Sequence, residues 1–201
     1  MAAIAFVTPS VASEASLRAL FHKEKLSLNA VSAPRLKKMI SEPDTGQQDV
    51  NFSSDWLDSQ PKAKGNSEWS CLAEALYFEA RGETVKGQFA VAEVILNRVK
   101  SARFPDTLCG VIHQGTGRKY QCQFTYTCDG HKEVISEPKA YERVGKVALA
   151  IMNGIGQSLT DGATHYHTTS VRPNWSKVYK KTARIGVHVF YRHNYRTASS
   201  N

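Results

Sequence analysis

The sequence predicts an α+β domain in which a helical core is followed by a small C-terminal antiparallel β-hairpin or sheet. Three segments have apolar residues at the spacing of amphipathic helices, and two later segments alternate apolar and polar residues as half-buried strands do. The helices are expected at residues 71–81, 84–100 and 136–153, and the strands at residues 163–170 and 184–193. Because the connection between the strands is too short to hold another packed unit, we expect them to pair antiparallel.

Residues at the helix ends support these predicted bounds. Ser67 or Ser70 is suited to cap the first helix, and Gly82 ends it. The second helix has the clearest apolar stripe, at spacing i, i+3, i+4 and i+8: Val91, Val94, Ile95 and Val99. The third helix has Ser136 as its expected cap and Pro138 in its first turn, where proline is favoured.

Length and net charge limit the classes of protein to which this chain can belong. Its 201 residues are enough for one ordinary domain and a tail. Lys and Arg number 26 against 18 Asp and Glu, a net charge of +8 at pH 7. This balance favours an anionic partner, either nucleic acid, anionic lipid headgroups or an acidic cell-wall polymer. No apolar run approaches the ~20 residues that a membrane-spanning helix needs, so we expect no transmembrane segment.

The composition divides the chain near residue 67. Residues 67–201 hold 18 basic and 11 acidic residues and all four cysteines, so the chemistry is expected there. Residues 41–66 are rich in Ser, Asp, Gln, Lys, Pro and Gly and are predicted to be a flexible linker. Residues 1–13 are small and apolar. They are interpreted either as a secretory signal remnant that lacks its basic start or as a frayed N-terminus. We therefore predict a signal remnant and linker over residues 1–66 and one domain over residues 67–201.

Three glutamates surround the end of the first predicted helix: Glu74, Glu79 and Glu83. Glu79 is the strongest candidate for an acid, because it follows Tyr77 and Phe78 in the last helical turn. A carboxyl group that aromatic rings partly desolvate has a raised pKa and can act as a general acid near neutral pH. The alternative is an ordinary solvated glutamate paired with a neighbouring cation, Arg81 or Lys86.

Several strings of residues resemble one known family. They are C-L-A-E-A-L-Y-F-E-A-R-G-E at residues 71–83, the G-Q-F-A-V-A-E-V-I-L-N-R run at residues 87–98, C-Q-F-T-Y-T-C-D-G at residues 122–130 and G-A-T-H-Y-H at residues 162–167. Together they resemble the catalytic domain of the cell-wall hydrolases, whose best-known members are the spore-cortex-lytic enzymes SleB and CwlJ. The resemblance covers about residues 69–192.

The resemblance implies a fold similar to lysozyme and the lytic transglycosylases. It also implies cleavage of peptidoglycan glycan strands between N-acetylmuramic acid and N-acetylglucosamine, with the family glutamate at Glu79. The four cysteines and the C-Q-F-T-Y-T-C segment look like the proteobacterial branch rather than the spore enzymes. A role in germination is therefore not carried over.

A single well-placed carboxylate favours lytic transglycosylation over plain hydrolysis. Retaining and inverting glycosidases normally use two carboxylates that flank the bond, and only Glu79 is well placed here. A transglycosylase manages with one, because the muramic C6 hydroxyl serves as the internal nucleophile. We expect a monomer without a cofactor, whose partner is the glycan strand of peptidoglycan.

Four further residues are predicted to contact the substrate: Glu83, Gln88, Tyr166 and Trp175. Tyr166 and Trp175 offer aromatic platforms for the apolar faces of sugars, and Gln88 is suited to hydrogen-bond an N-acetyl group or a water. Each residue also has a structural alternative. Glu83 would stabilise the N-terminus of the next helix through its dipole, Gln88 would be an ordinary first-turn residue, and Tyr166 would belong to the core.

The four cysteines predict two disulfides and a location outside the cytoplasm, periplasmic or extracellular. Three pairings are possible for four cysteines. Cys122 and Cys128 are close enough to staple the loop between them, and Cys71 at the start of one helix is also placed to meet Cys109 after the return helix. This pairing is a hypothesis, and the other pairings stay open. The alternative is four buried thiols in a cytosolic protein.

Two other functions are kept as alternatives. His165 and His167 would point the same way on a strand, and His188 would be a third ligand in a zinc-dependent peptidoglycan amidase or endopeptidase. No H-E-x-x-H motif accompanies them, so no metal is expected. The other alternative is a non-enzymatic basic module that binds nucleic acid or cell wall. The basic residues are scattered and no readout motif is present, so nucleic acid is not the expected partner.

Overall fold

The computed structural model describes residues 14–29, 50–117, 121–156 and 158–193. The chain is divided into two compact units, residues 1–47 and residues 48–201. The described element of the first unit is helix α1, Glu14–Asn29. The signal remnant predicted over residues 1–13 lies outside the described residues.

The second unit contains three long helices that correspond to the three predicted ones. Its helices are α2 (Ser54–Ser59), α3 (Ser67–Ala80), α4 (Val85–Val99), α5 (Leu108–Ile112) and α6 (Pro138–Met152), with short 3-10 turns η1 (Thr125–Thr127) and η2 (Asn174–Lys177). Each long helix has fully buried residues in its apolar stripe: Leu72, Leu76, Val91, Ile95, Val147 and Ile151. None of the described helices is long and apolar enough to cross a membrane.

The caps of these helices differ from those expected. Asn66, not Ser67 or Ser70, caps α3, since its side chain accepts a hydrogen bond from the backbone N–H of Trp69 at 3.1 Å. The residue before α6 is Glu137. Ser136 instead places its hydroxyl 3.2 Å from that of Tyr77. A polar residue one position away served as the cap of α3, so spacing alone did not identify it.

The compact unit begins before the predicted boundary at residue 67. Leu57 in α2 is fully buried, and the ring of Phe52 meets that of Phe89 edge-on at 5.3 Å. Arg143 of α6 donates to Asp58 at 2.8 Å. The prediction of a flexible linker is therefore wrong for residues 50–66. Most side chains of this segment face solvent, which gives it a linker-like composition, while a few apolar ones join the core.

The sheet has three antiparallel strands in the order β1-β3-β2, where β1 is His165–Thr168, β2 is Lys180–Ile185 and β3 is His188–Arg192. The two predicted strand segments do pair antiparallel, which confirms the α+β class. The second segment, however, contains a turn at Gly186, whose φ of +58° favours glycine. It separates β3 from β2, an edge strand that the sequence analysis missed because it begins with polar residues.

Alternation along β1 and β3 decides which side chains face the helices. Tyr166 lies opposite Phe190, and His165 lies opposite Tyr191. Phe190 is fully buried in the core shared with the helices. Tyr166 therefore belongs to the helix-facing side of the sheet, and His165 belongs to the other side.

Both predicted disulfides are present. Cys71–Cys109 joins α3 to α5, and Cys122–Cys128 closes the loop that contains η1. Of the three possible pairings, this is the one suggested as a hypothesis from the sequence.

Candidate active site

The site is centred on Glu79 in the last turn of α3. Its Oε2 accepts a hydrogen bond from the phenolic hydroxyl of Tyr166 at 3.0 Å. Burial raises the pKa of Glu79, while the Tyr166 bond and the positive charge of Arg98 oppose that rise without cancelling it. The carboxyl group therefore holds its proton at a higher pH than a solvated glutamate does.

Arg98, near the end of α4, is a buried cation beside this carboxyl group. Its Nε donates to the carbonyl oxygen of Thr164 at 2.8 Å. Its guanidinium carbon lies 5.6 Å and 5.5 Å from the ring centroids of Phe104 and Phe124. With its amide oxygen turned toward Arg98, Gln123 accepts from Nη1 at 3.2 Å and from Nη2 at 3.3 Å. These contacts fix the cation in place, so its field on Glu79 is part of the folded structure.

Tyr166 is a hydrogen-bond donor to Glu79 rather than an open aromatic surface. Burial, reinforced by the charge of Glu79, holds the pKa of its phenol well above the usual value, so the phenol stays protonated. Its ring packs edge-on against His188 at 5.1 Å and tilted against Phe190 at 6.0 Å. Stacking of a sugar on this ring, as predicted from the sequence, would need a face that these neighbours occupy.

Glu83 forms a buried pair with His188. The two side chains are 7% and 5% exposed, and Oε1 of Glu83 lies 3.0 Å from Nδ1 of His188. The same oxygen accepts from the backbone N–H of Val187 at 3.2 Å. Burial lowers the pKa of His188, and the Glu83 carboxylate opposes this shift. The pair therefore ties the turn between β2 and β3 to the turn between α3 and α4.

Two glycines leave room for the second oxygen of Glu83. A Cβ atom at Gly87 would lie 2.7 Å from Oε2, and one at Gly186 would lie 2.0 Å from it. Any larger residue at Gly186 would displace the carboxylate. Glu83 thus has a role in packing, and its carboxylate points at the protein rather than at solvent.

Gln88 also bonds within the protein. Its Nε2 lies within 3.4 Å of the carbonyl oxygen of Arg81 and 3.3 Å of that of Glu83, and it donates to both. Within the described residues its buried Oε1 has no hydrogen-bond partner. Gln88 therefore stabilises the turn that follows Glu79. The residue as a whole is 4% exposed.

Trp175 lies away from Glu79, on the other side of the sheet. Its ring neighbours are His165 at 5.5 Å, His167 at 5.6 Å and Tyr191 at 5.4 Å. The two predicted sugar platforms, Tyr166 and Trp175, therefore do not share one site. The strand period of two residues separates them, since Tyr166 lies between the histidines that contact Trp175.

The histidines predicted as a zinc alternative do not converge. His165 and His167 share one side of the sheet, whereas His188 lies opposite Thr168 and faces the other side with Tyr166. His167 is engaged through Nε2 with the hydroxyl of Tyr191 at 3.1 Å. In the described parts of the chain, no group of three or more His, Cys, Asp or Glu side chains is arranged to hold a metal ion. The three-histidine zinc site is therefore wrong for this fold.

Comparison with known proteins decides the family. A family profile described as Cell Wall Hydrolase matches residues 82–191, more than half of the chain. The chain belongs to the cell wall hydrolase family. The matched region begins just after Glu79, so the match itself says nothing about that residue.

This cell wall hydrolase is similar in sequence to several spore cortex-lytic enzymes. It is 34% identical over 151 residues to the enzyme of Halalkalibacterium halodurans, a match that spans 74% of this chain and 41% of the relative. It is 32% identical over 132 residues to that of Bacillus subtilis, across 66% of this chain and 40% of the relative. The chain thus spans about two fifths of the length of the curated relatives it matches.

Two solved structures resemble this cell wall hydrolase in fold. The catalytic domain of the germination-specific lytic transglycosylase SleB from Bacillus anthracis superposes with a TM-score of 0.52 at 34% identity, over 66% of this chain and all of that domain. The catalytic domain of the Bacillus cereus SleB protein gives the same TM-score and identity, over 94% of its own length. The predicted family and fold are confirmed.

Sequence reasoning assigned no role to two residues of this cell wall hydrolase that border Glu79. Arg98 interrupts the buried side of α4, and a charge there is a signal that was readable from the sequence. Tyr126 stacks on Phe78 with ring centroids 4.5 Å apart, and its buried hydroxyl has no hydrogen-bond partner within the described residues. Nothing in its local sequence predicted this position, because the long-range path of the Cys122–Cys128 loop determines it.

Proposed function

We propose that this protein cleaves the glycan strands of peptidoglycan between N-acetylmuramic acid and N-acetylglucosamine, as a lytic transglycosylase with Glu79 as the catalytic residue. The observation that carries the proposal is the partly buried Glu79 carboxyl group bonded to Tyr166. Membership of the cell wall hydrolase family and the likeness to a solved lytic transglycosylase domain support the choice of substrate and reaction.

The first step needs an acid. Burial keeps Glu79 protonated at a higher pH than usual, so it can donate its proton to the glycosidic oxygen as the bond breaks. Oε2 accepts from Tyr166, and Oε1 has no hydrogen bond within the described residues. We assign Oε1 the proton transfer to substrate.

The second step needs a base. After the first proton transfer Glu79 is a carboxylate, which the Tyr166 hydrogen bond and the Arg98 charge stabilise. The carboxylate then takes the proton from the muramic C6 hydroxyl, whose oxygen bonds to C1 of the same sugar and closes a 1,6-anhydro ring. Glu79 regains its proton, so the enzyme returns to its starting state and consumes no water.

The surroundings of the other glutamates support one carboxylate over two. The Glu83 carboxylate is held by Val187 and His188 beneath a turn, where it cannot hold a water against the scissile bond. We therefore give Glu83 a positioning role, as we do Gln88, and leave Trp175 outside the reacting site. Tyr166 touches Glu79 directly and belongs to the catalytic group.

We further propose that the protein works outside the cytoplasm, as a monomer. Two disulfides support an oxidising compartment. The catalytic unit extends from about residue 48, where the compact unit begins. The net charge of +8 favours binding to a polymer that bears peptide carboxylates.

The proposal is tested by the release of soluble muropeptides from purified sacculi. Glu79→Gln keeps the shape of the side chain but cannot transfer a proton, so the rate should fall by about 10²–10⁴. Glu74→Gln is the matched control, since it makes the same change on the same helix and should retain most of the activity. Full activity of Glu79→Gln would overturn the assignment of Glu79. Failure of the wild-type protein to release anything from sacculi would overturn the proposed function.

A further inference from the structure

The charged side chains in the C-terminal part of the chain are all basic. Residues 162–201 contain seven of the 26 Lys and Arg residues and none of the 18 Asp and Glu residues. Five of these cations are exposed on the segment that runs from the loop after β1 through η2 and β2: Arg172, Lys177, Lys180, Lys181 and Arg184. We call residues 171–187 the basic ribbon.

The cations of the basic ribbon form no ion pair with any carboxylate that the structure describes. Among the described residues none of the five lies within salt-bridge distance of a carboxylate, and Lys177 bonds only to the amide oxygen of Asn174 at 3.4 Å. Some exposed cations elsewhere do have such partners, for example Lys62 with Glu142 at 3.1 Å and Arg81 with Glu137 at 2.9 Å. The ribbon thus presents uncompensated positive charge to solvent.

The basic ribbon also carries exposed apolar side chains. Val171, Val178 and Val187 are 55%, 72% and 53% exposed. The backbone N–H of Thr169 donates to the carbonyl oxygen of Val187 at 2.8 Å, so the loop that leads to Val171 lies beside the β2–β3 turn. Val178 precedes β2 at its other end. Valines therefore flank the edge strand at both ends, with cations between them.

We propose that the basic ribbon docks this protein onto an anionic phospholipid surface. Exposed Lys and Arg side chains are attracted to anionic headgroups, and protruding apolar side chains partition into the interface beneath them. Lysines on an edge strand also discourage strand pairing, but this explains neither Arg172 and Lys177 nor the valines. A purely anionic polymer would account for the cations and would give the three valines no role.

Docking of this kind would hold the active site close to the lipid surface. The turn between β2 and β3 belongs to the ribbon, and the N–H of Val187 in that turn binds Glu83. The same turn therefore connects the lipid-facing surface with the residues around Glu79. The inference goes beyond the proposed function and does not depend on it.

Co-sedimentation of the full chain with lipid vesicles tests the inference. We expect binding to phosphatidylcholine vesicles that contain phosphatidylglycerol, weak binding to phosphatidylcholine alone, and a loss of binding as salt is raised. The triple variant Lys180→Gln, Lys181→Gln, Arg184→Gln should reduce the affinity by about 100-fold. The matched control removes three exposed lysines elsewhere, Lys64→Gln, Lys132→Gln and Lys139→Gln, and should change the affinity by no more than about twofold.

A second variant separates lipid from polymer. Val171→Ser, Val178→Ser and Val187→Ser together leave the charge unchanged and should weaken vesicle binding by about tenfold, without changing retention on a polyglutamate column. Equal losses of vesicle affinity in the ribbon variant and in its matched lysine control would overturn the proposal. Full vesicle binding by the serine variant would overturn it as well. Retention on polyglutamate without vesicle binding would assign the ribbon to an anionic polymer instead. Glu79→Gln should bind vesicles like the wild type, so a failure of docking is distinguishable from a failure of the proposed activity.

Discussion

Tyr166 on β1 donates a hydrogen bond to Glu79 on α3 at 3.0 Å, across 87 residues of sequence. This contact joins the small sheet to the helical core at the carboxyl group to which we assign the chemistry. Because the phenol is buried and protonated, it offers Glu79 a donor and never competes with it for a proton.

Replacement of Tyr166 by phenylalanine should change both the rate and its pH dependence. A hydrogen bond to the carboxylate lowers the pKa of Glu79, so its loss should raise that pKa further. A general acid is active below its pKa and is lost as pH rises through it, so the alkaline limb of kcat/KM should move to higher pH. We also expect a loss of about tenfold or more at the optimum, because the carboxyl group is no longer held.

The control for this variant is Tyr179→Phe, which makes the same change on the other side of the sheet. Its pH profile should coincide with that of the wild type. An alkaline limb in Tyr166→Phe that stays in place or moves to lower pH would refute the proposed role of the phenol.

Replacement of Gly186 by alanine should destabilise the domain. The new Cβ would lie 2.0 Å from Oε2 of Glu83, at a φ of +58° that side chains rarely adopt. Displacement of the buried carboxylate should cost about 1–3 kcal/mol in the free energy of unfolding. Gly82→Ala is the matched control, since nothing lies within 4 Å of its added Cβ, and it should stay within about 0.5 kcal/mol of the wild type. Equal stability of the two variants in urea would contradict the close packing described for Glu83.

Half-buried His165 on β1 predicts a loss of stability in acid. Burial, with smaller contributions from Arg98 and His193, lowers the pKa of His165 to about 4 from 6.5. The unfolded chain therefore binds this proton more readily than the folded one, so stability should decline as pH falls from 6.5 toward 4. His165→Asn should decline less steeply than the wild type over that range, whereas His131→Asn, in an exposed loop, should match it. Parallel declines in all three proteins would exclude His165 as a cause.

The two disulfides should contribute unequally to stability. Cys71–Cys109 closes a loop with a sequence separation of 38, and Cys122–Cys128 one of 6. On the chain-entropy account, loss of the first should cost about 4 kcal/mol and loss of the second about 2 kcal/mol. Paired Cys→Ser variants, unfolded in urea without reductant, measure both values. A larger loss for the short loop would mean that the Cys122–Cys128 bridge holds native contacts near Tyr126 as well as restricting the unfolded chain.

The sequence predicted the fold best where a helix packs against the core with a single face. The apolar stripe around Val91 and Ile95 needs no knowledge of its partners, and the helix was predicted almost to its bounds. The segment around Leu57 was misassigned because only a few of its side chains are buried. The turn at Gly186 was missed because apolar alternation continues across it from β2 to β3.

The candidate site was only partly predictable. Glu79 was identified from its aromatic neighbours in sequence and from the family resemblance. Its partner Tyr166 was recognised as important but given a sugar-stacking role, since the sequence does not say what lies opposite a strand residue. Trp175 was placed at the same site because the side of the sheet on which it packs depends on η2, a turn without a clear sequence pattern.

The mass of the muropeptides released from purified sacculi tests the central claim most directly. If Glu79 acts first as acid and then as base on the C6 hydroxyl, each cleaved strand should end in 1,6-anhydro-muramic acid, lighter by one water than a reducing end. The wild-type protein should give these anhydro products, and Glu79→Gln should give almost none. Products with reducing ends alone would contradict transglycosylation and would require a second group that activates water.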